Sequence, residues 1–438
     1  MRKFRLATIL ALVGVICCGA FCMTGCGGKG KGDELKIVVA GCYQNNWEKV
    51  FMNDKIVSEF EKETGIRVSM DIISASDAIK KIKTEQESGE YISDLAIVHS
   101  GEMPTFTMRG YVQDITADVA FTDRTIDKDK QFTGVTEVNG AKYFVPVSTD
   151  TYMVVANKKA MDYLPTGADK NNLTWEQFSE WASNIKNGAN GHNGVGAKTM
   201  FPAQTGGNLI YIMGSMGLSY GADFVDVDSN DMKKAYEVMF EMAENEVFVN
   251  EQKNYLTAVE KMKDETAWLS FQHMSPAGEI QRFRPDGFEI LPPPRGDEGC
   301  GSVIGAWGMG ILNNAPHRAA AVKFVEYMTR KDVSYKYCTG LGGIISTVDE
   351  VIQQVKELPV TGMTTSEKIM MMGIDVMANG CVKSVPSADY SDWNAVKGVY
   401  ETMFDKIMLK SRQQYLDQIP IAASQIKGLL KDFPQEGM

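Results

Sequence analysis

Two acidic side chains, Glu102 and Asp150, are candidates for carrying chemistry in this 438-residue chain. Glu102 lies in a polar loop after the apolar run Leu95–Val98, and Asp150 interrupts the apolar stretch Tyr143–Ala156. A glycosidase needs two carboxylates at a fixed separation in a cleft, and this pair would be compatible with such a site. The chain has, however, no zinc, phosphate-loop or nucleophile-elbow motif. We therefore expect a protein that is not an enzyme and that uses no cofactor.

Three tryptophans lie beside polar or glycine-rich residues, where an aromatic face could meet a ligand. Trp47 follows a polar loop that ends at Asn46. Trp307 lies in the glycine-rich segment GAWGMG, and Trp393 follows a serine and an aspartate. Each ring could instead pack in the interior, and the sequence leaves both alternatives open at all three positions.

The histidines do not form a metal-binding motif. The chain has four of them, and the spacing of His99 and His273 matches no zinc pattern. The segment Asp226–Glu237 resembles a calcium loop, but Asp231 occupies the position where the sharp turn needs glycine. We therefore predict no metal site and expect these polar residues to cap a helix.

The N-terminal segment has the features of a secretory signal. Three basic residues precede the uncharged apolar run Leu6–Met23, which is also just long enough to be a retained membrane anchor. The residues Met23–Cys26 resemble the lipobox of bacterial lipoproteins, although that family usually has leucine where Met23 stands. The resemblance implies cleavage after Gly25 and a lipid on Cys26, with residues 27–32 as a tether. It places the protein, lipid-anchored, on the extracytoplasmic face of the cell membrane.

The composition indicates two lobes and an acidic surface. The mature chain of 413 residues (438 minus 25) is too large for one hydrophobic core. The net charge of −11 becomes −14 when the three basic residues of the signal are removed, which disfavours nucleic acid and anionic membrane surfaces as partners. Four cysteines remain after the lipidated one: Cys42, Cys300, Cys338 and Cys381. We expect buried free thiols, with disulfides left open as the alternative.

The first part of the mature chain alternates between strands and helices. Strand patterns occupy residues 36–40, 68–72 and 95–98. Helical patterns that end at Gly65 and Gly89 fill the two intervals. This β-α-β-α-β order predicts an α/β fold with mainly parallel sheets. Because ligands of such sheets bind beyond the carboxyl ends of the strands, the polar loops Gly41–Asn46 and His99–Met103 are expected at a site.

Several segments, in their order along the chain, resemble the extracellular solute-binding proteins of ABC importers, in the family-1, maltose-binding-like group. They cover nearly the whole mature chain, although no single segment is specific. The segments are SEFEKETGIRV, SDLAIVHSGEMPTFTMRGYVQDIT, YFVPVSTDTYMVVANKKAM, LTWEQF, ILPPPRG, GAWGMGIL, AAAVKFVEYMT and SADYSDWNAVKGVY. The resemblance implies a class II periplasmic-binding-protein-like fold, in which a hinge joins two lobes and the ligand binds in the cleft between them.

The resemblance also implies a function and a set of contacts. The expected protein is a monomer that binds a carbohydrate, most simply an oligosaccharide, and delivers it to the membrane subunits of an ABC importer. Trp393 matches the position of a stacking tryptophan, and Asp150 that of an acidic contact. Family members often have Gly-Pro-Trp where Gln272 and His273 stand here, which leaves the identity of the sugar open. The predicted ligand site comprises Trp393, Trp307, Trp47, Asn46, Glu102, Asp150, Gln204 and His273.

Two other functions remain open at this point. A binder of a polyamine, a metal or a peptide would have the same architecture, and a polyamine would use Glu102, Asp150 and Asp389 beside aromatic rings. A ligand sensor for a membrane signalling partner would differ only in that partner. The expected organisation is a signal peptide at 1–25, a lipidated tether at 26–34, a first lobe from 35–147 and 293–342, and a second lobe from 148–292 and 343–438.

Overall fold

The computed structural model describes residues 34–118, 132–201, 209–223, 225–249 and 255–431. The signal segment, Cys26, the tether and Gln204 lie outside the described residues, so the predictions for them stay predictions. The chain from Asp33 to Met438 forms one compact unit. No helix in the described ranges is long and apolar enough to cross a membrane.

The strands form a large sheet, a small sheet and a short hairpin. Their bounds are β1 Glu34–Ala40, β2 Arg67–Ile73, β3 Leu95–His99, β4 Glu137–Val138, β5 Ala141–Lys142, β6 Val145–Asp150, β7 Tyr152–Asn157, β8 Lys198–Met200, β9 Ala267–His273, β10 Phe288–Leu291, β11 Arg295–Gly296, β12 Gly299–Ile311, β13 Ile345–Ser346 and β14 Cys381–Ser384. The large sheet has the order β13-β6-β12-β3-β1-β2, with β11 and β14 also paired to β12. The small sheet has the order β10-β7-β9-β8, and β4 pairs with β5.

Sixteen α-helices are described. Their bounds are α1 Asn46–Phe51, α2 Ser58–Thr64, α3 Ala75–Ser88, α4 Met103–Met108, α5 Thr133–Thr136, α6 Trp175–Asn187, α7 Leu209–Tyr220, α8 Asn230–Glu244, α9 Tyr255–Lys263, α10 Met274–Phe283, α11 Arg318–Met328, α12 Lys331–Gly340, α13 Asp349–Glu357, α14 Thr365–Asn379, α15 Trp393–Met408 and α16 Arg412–Leu429. A π-helical segment, Met52–Val57, joins α1 to α2.

The predicted β-α-β-α-β order is confirmed at the start of the large sheet. Strand β1 pairs in parallel with β2 on one side and with β3 on the other. The helix before β2 ends at Gly65, whose φ of 75° is a left-handed conformation that favours glycine. The predicted capping is also confirmed, because the Ser229 hydroxyl accepts a hydrogen bond from the Met232 amide at the start of α8.

Beyond these three strands the sheets are mixed rather than mainly parallel: β12–β14 and β8–β9 pair in parallel, and the other described pairs are antiparallel. Strand β12 runs antiparallel to both β3 and β6, and in the small sheet β7 runs antiparallel to β9 and β10. A parallel pair needs a crossover connection that returns the chain to the same edge of the sheet. Here β6 passes directly into β7 through Thr151, and β12 re-enters the large sheet from the opposite direction.

Two large hydrophobic cores surround the sheets. One packs the small sheet against α6, α7, α8, α15 and α16, and includes the fully buried Trp175 and Trp181. The other runs from β1 and β3 to the face of the small sheet that carries α9 and α10. The four described cysteines are free thiols, as predicted. Cys42 and Cys338 are buried in this second core, whereas Cys300 and Cys381 are half-buried and depart from the predicted burial.

Candidate functional site

A cavity of about 320 Å³ lies where the two sheets meet. The loop after β1, residues 41–44, and His99 at the end of β3 line it from the large sheet. The ends of β6 and β9 and the helices α7 and α15 supply other walls. The cavity therefore lies at the carboxyl ends of the parallel strands, and its size is near the lower end of the 300–1,000 Å³ typical of ligand pockets.

An ion pair links two elements across this cavity. Glu102, in the loop after β3, places Oε1 3.1 Å from Nζ of Lys397 on α15. The two side chains are 16% and 10% exposed. Burial alone would raise the pKa of Glu102, but Lys397 and His99 outweigh it and lower this pKa from 4.5 to about 2. Burial likewise opposes the charge on Lys397, yet the neighbouring Tyr211 and Glu102 raise its pKa above the ordinary value. The site therefore holds two charges that balance each other.

The ring of His99 is held between three neighbours. Its Nδ1 accepts a hydrogen bond of 3.1 Å from the Gly101 amide and lies 3.7 Å from Glu102 Oε2. The ring meets that of Trp307 edge-on, with centroids 5.1 Å apart. On β12, a Cβ at Gly305 would lie only 2.5 Å from His99 Nε2. The absence of a side chain at Gly305 thus makes room for the histidine.

We expect Gly305→Ala to lower the free energy of unfolding by about 1–3 kcal/mol, since the added methyl group must displace the His99 ring. Urea denaturation measures this loss. The matched control on the same strand is Gly308→Ala, whose Cβ would meet the flexible end of Met103 at 2.5 Å. A loss for Gly305→Ala no larger than for this control would contradict the role given to Gly305.

A second set of polar groups also lines the cavity. Asp150 Oδ2 lies 3.1 Å from His273 Nδ1, which brings the ends of β6 and β9 together. Glu48 accepts a hydrogen bond of 2.9 Å from the Ser275 hydroxyl, and burial raises the pKa of Glu48. Carboxylate, imidazole and hydroxyl groups therefore face the same space and can donate and accept hydrogen bonds.

Aromatic rings complete the walls. Tyr43 and Tyr337 share a hydrogen bond of 2.8 Å between their hydroxyls, and burial raises the pKa of both phenols. Tyr152, Tyr211 and Trp307 line the same cavity. Flat apolar faces beside converging polar groups suit a small polyhydroxylated molecule.

Of the predicted site residues, the structure brings four together in the cavity wall: Trp307, Glu102, Asp150 and His273. Three others lie outside the lining. Trp393 is 7% exposed within a core, with Nε1 3.5 Å from the Tyr211 hydroxyl. The Trp47 ring lies beneath Arg282, whose guanidinium carbon is 4.0 Å from the centroid of the ring. Asn46 is exposed at the start of α1. Gln204 lies outside the described residues.

Sequence reasoning missed Lys397, although the sequence contains a signal for it. Lys397 lies four residues after Trp393 and one after Val396, on the apolar stripe of α15. A lone lysine on a buried helical face needs a charged partner, and such a position is a functional candidate. Tyr211 carried no comparable signal, because every side chain of α7 is buried.

Comparisons with known proteins match this architecture. Residues 55–360 match a family model described as bacterial extracellular solute-binding protein. A sequence comparison with curated proteins gives no match.

Three solved structures share the fold. The GacH receptor of Streptomyces glaucescens, solved unliganded and with acarbose, is 17% identical and has a TM-score of 0.74 over 92% of this chain and 100% of its own. An ABC transporter solute-binding protein of Thermotoga lettingae with bound α-D-tagatose is 18% identical and has a TM-score of 0.73 over 91% of this chain and 100% of its own. Maltose-bound MalE3 of T. maritima is 17% identical and has a TM-score of 0.72 over 91% of this chain and 100% of its own. At these identities the likeness shows the fold alone, which is the predicted two-lobed α/β fold.

Proposed function

Because the chain belongs to the bacterial extracellular solute-binding proteins, we propose that it captures a carbohydrate in the cavity and delivers it to an ABC importer. The observation that carries this proposal is the combination of Trp307 with paired charges in one wall. The Glu102–Lys397 pair leaves little net charge at its end of the cavity, so it favours a neutral ligand. A sugar offers hydroxyls to the polar groups and a CH face to the indole ring.

The solved proteins of the same fold support this class of ligand. Acarbose, tagatose and maltose are the molecules named for the complexes of those three proteins. The modest cavity of about 320 Å³ favours a short sugar, of one or two residues, over a long oligosaccharide.

The mechanism we propose is hinge closure without any change of covalent bonds. Thr151 is the single residue between β6 of the large sheet and β7 of the small sheet, so rotation near it moves one lobe against the other. A ligand that contacts Glu102 on one side and Lys397 on the other binds the closed form better. It therefore shifts the population towards that form, which the transporter would recognise. The lipid on Cys26 would hold the protein at the membrane.

A polyamine is the second candidate ligand. Three carboxylates, Glu48, Glu102 and Asp150, line the cavity together with aromatic rings, as a cationic ligand would require. The Glu102 carboxylate is already paired with Lys397, however, and a cationic ligand beside Glu102 would meet the buried Lys397 ammonium group. This repulsion favours the sugar.

Replacing Trp307 by alanine tests the proposal. We expect it to weaken binding of the preferred sugar about 30-fold, because an uncovered indole face of about 80 Å² is worth about 2 kcal/mol. Isothermal titration measures the affinity. The control is Trp268→Phe, which changes a core ring outside the cavity and should leave affinity unchanged. Equal affinities for Trp307→Ala and the control would exclude the site.

A further inference from the structure

Helix α10 packs on the small sheet, and one face of the helix contacts elements that pack with the large sheet. It follows β9 directly and packs on β7, β9 and β10. Five of its residues meet elements that pack with the large sheet: Met274, Ser275, Gly278, Glu279 and Arg282. Their spacing of i, i+1, i+4, i+5 and i+8 puts them on one side of the helix. We call these five residues the α10 face.

The polar contacts of the α10 face reach the start of α1. The Ser275 hydroxyl donates to Glu48 Oε1 at 2.9 Å, and the Asn45 side-chain amide donates to Glu279 Oε2 at 2.8 Å. Glu48 and Ser275 also line the cavity, so their hydrogen bond closes part of its wall. The wall is thus complete only when α10 and α1 are together.

Arg282 extends the same contact outward. Its guanidinium carbon lies 4.0 Å from the centroid of the Trp47 ring, and Nη2 donates to the Gly340 carbonyl at 2.9 Å. Trp47, a predicted ligand contact, therefore meets α10 here.

Gly278 makes the closest approach in this interface. A Cβ at Gly278 would lie 2.7 Å from both Cα and the carbonyl oxygen of Gly342, which are backbone atoms that cannot turn aside. A Cβ at Gly342 would in turn lie 2.9 Å from Gly278 Cα, and Gly342 has a φ of +94°. The two backbones touch because both residues lack a side chain.

We infer that the α10 face is the surface on which the lobes close, and that Gly278 is a positioning residue that sets how fully they close. The inference rests on the proposed hinge closure. All five residues contact elements that pack with the large sheet, so movement of the small sheet away from the large sheet breaks these contacts together. They need no ligand, and the closed form is therefore populated in the free protein. Ligand binding then has to shift the open–closed equilibrium only from this partly closed population to a fully closed one.

The variant Gly278→Ala separates closure from folding. Alanine is a better helix former than glycine, so α10 itself gains stability, and only the approach to Gly342 is blocked. We expect the closed-to-open ratio of the free protein to fall at least tenfold. Small-angle X-ray scattering of the chain from Asp33 to Met438, without ligand, should show a larger radius of gyration than for the wild type.

Two further variants keep the test sharp. Gly428→Ala on α16 is the matched control, because nothing lies within 4 Å of its Cβ position, and its scattering should equal that of the wild type. Arg282→Ala removes the contacts of an exposed side chain with Trp47 and Gly340 and should also open the protein, to a smaller extent than Gly278→Ala. Unchanged scattering for both α10 variants, or a wild type that is already fully open, overturns the inference. Sugar titration is a separate readout, so a failure to bind sugar would count against the proposed function alone.

Discussion

Replacing Lys397 by methionine is expected to lower the free energy of unfolding by about 3–5 kcal/mol, because it leaves the buried Glu102 carboxylate without its ammonium partner. Methionine keeps most of the length and apolar volume of the lysine stem, so the loss reports the charge rather than a cavity. The carboxylate remains 16% exposed, and Lys397 is the cation whose Nζ lies 3.1 Å away. Chemical denaturation with urea measures the loss.

Two controls separate the buried pair from a general effect of losing a lysine. The double variant Lys397→Met/Glu102→Gln removes both charges and should recover most of the stability, since no ion is left buried. Lys383→Met breaks the pair with Asp223, in which both side chains are 43% exposed, and should change stability by less than about 1 kcal/mol. Equal losses for Lys397→Met and Lys383→Met would contradict the importance of the buried pair.

Acid should weaken the protein through the same carboxylate. The pKa of Glu102 is lowered from 4.5 to about 2, so folding favours its ionised form. Its contribution is fully present above pH 4.5 and is lost as the pH falls towards 2. A shift of this size corresponds to a loss on the order of 3 kcal/mol. Glu48 acts in the opposite direction, since burial raises its pKa and its ionisation on going to higher pH opposes folding.

A comparison of two proteins isolates this contribution. The free energy of unfolding of the wild type and of Lys397→Met/Glu102→Gln is measured at pH 7 and at pH 3. The double variant cannot titrate at position 102, so it should lose less stability between the two values than the wild type. The same loss in both proteins would show that Glu102 does not carry the acid sensitivity.

The beginning of the large sheet could be predicted because its signals are local. The runs 36–40 and 95–98 are largely apolar, residues 68–72 alternate between apolar and polar, and glycines end the helices between them. The same order placed Glu102 beyond the end of a buried strand, where the structure finds it beside the cavity. The antiparallel pairing of β12 could not be read in this way, because it depends on the path of the chain through the small sheet.

The site itself depended on packing that one sequence does not contain. Trp393 and Lys397 share one face of α15, and only the tertiary contacts place the lysine in the cavity wall and the tryptophan behind it. Trp47 follows a polar loop, as noted from the sequence, but the ring meets Arg282 of a helix more than two hundred residues away. Long-range contacts of this kind set which side of each helix faces the ligand.

The central claim is that the cavity captures a neutral sugar. It is tested most directly by the thermal unfolding of the chain from Asp33 to Met438 with mono- and disaccharides, longer oligosaccharides, polyamines and divalent metal ions. A ligand at a hundred times its dissociation constant adds about 2.7 kcal/mol of stability. We predict a higher unfolding temperature with one short sugar and a clearly smaller rise for Trp307→Ala, because a 30-fold weaker affinity leaves only about 0.9 kcal/mol of stabilisation at the same sugar concentration. Stabilisation by polyamines or metal ions, with none by any sugar, would contradict the account.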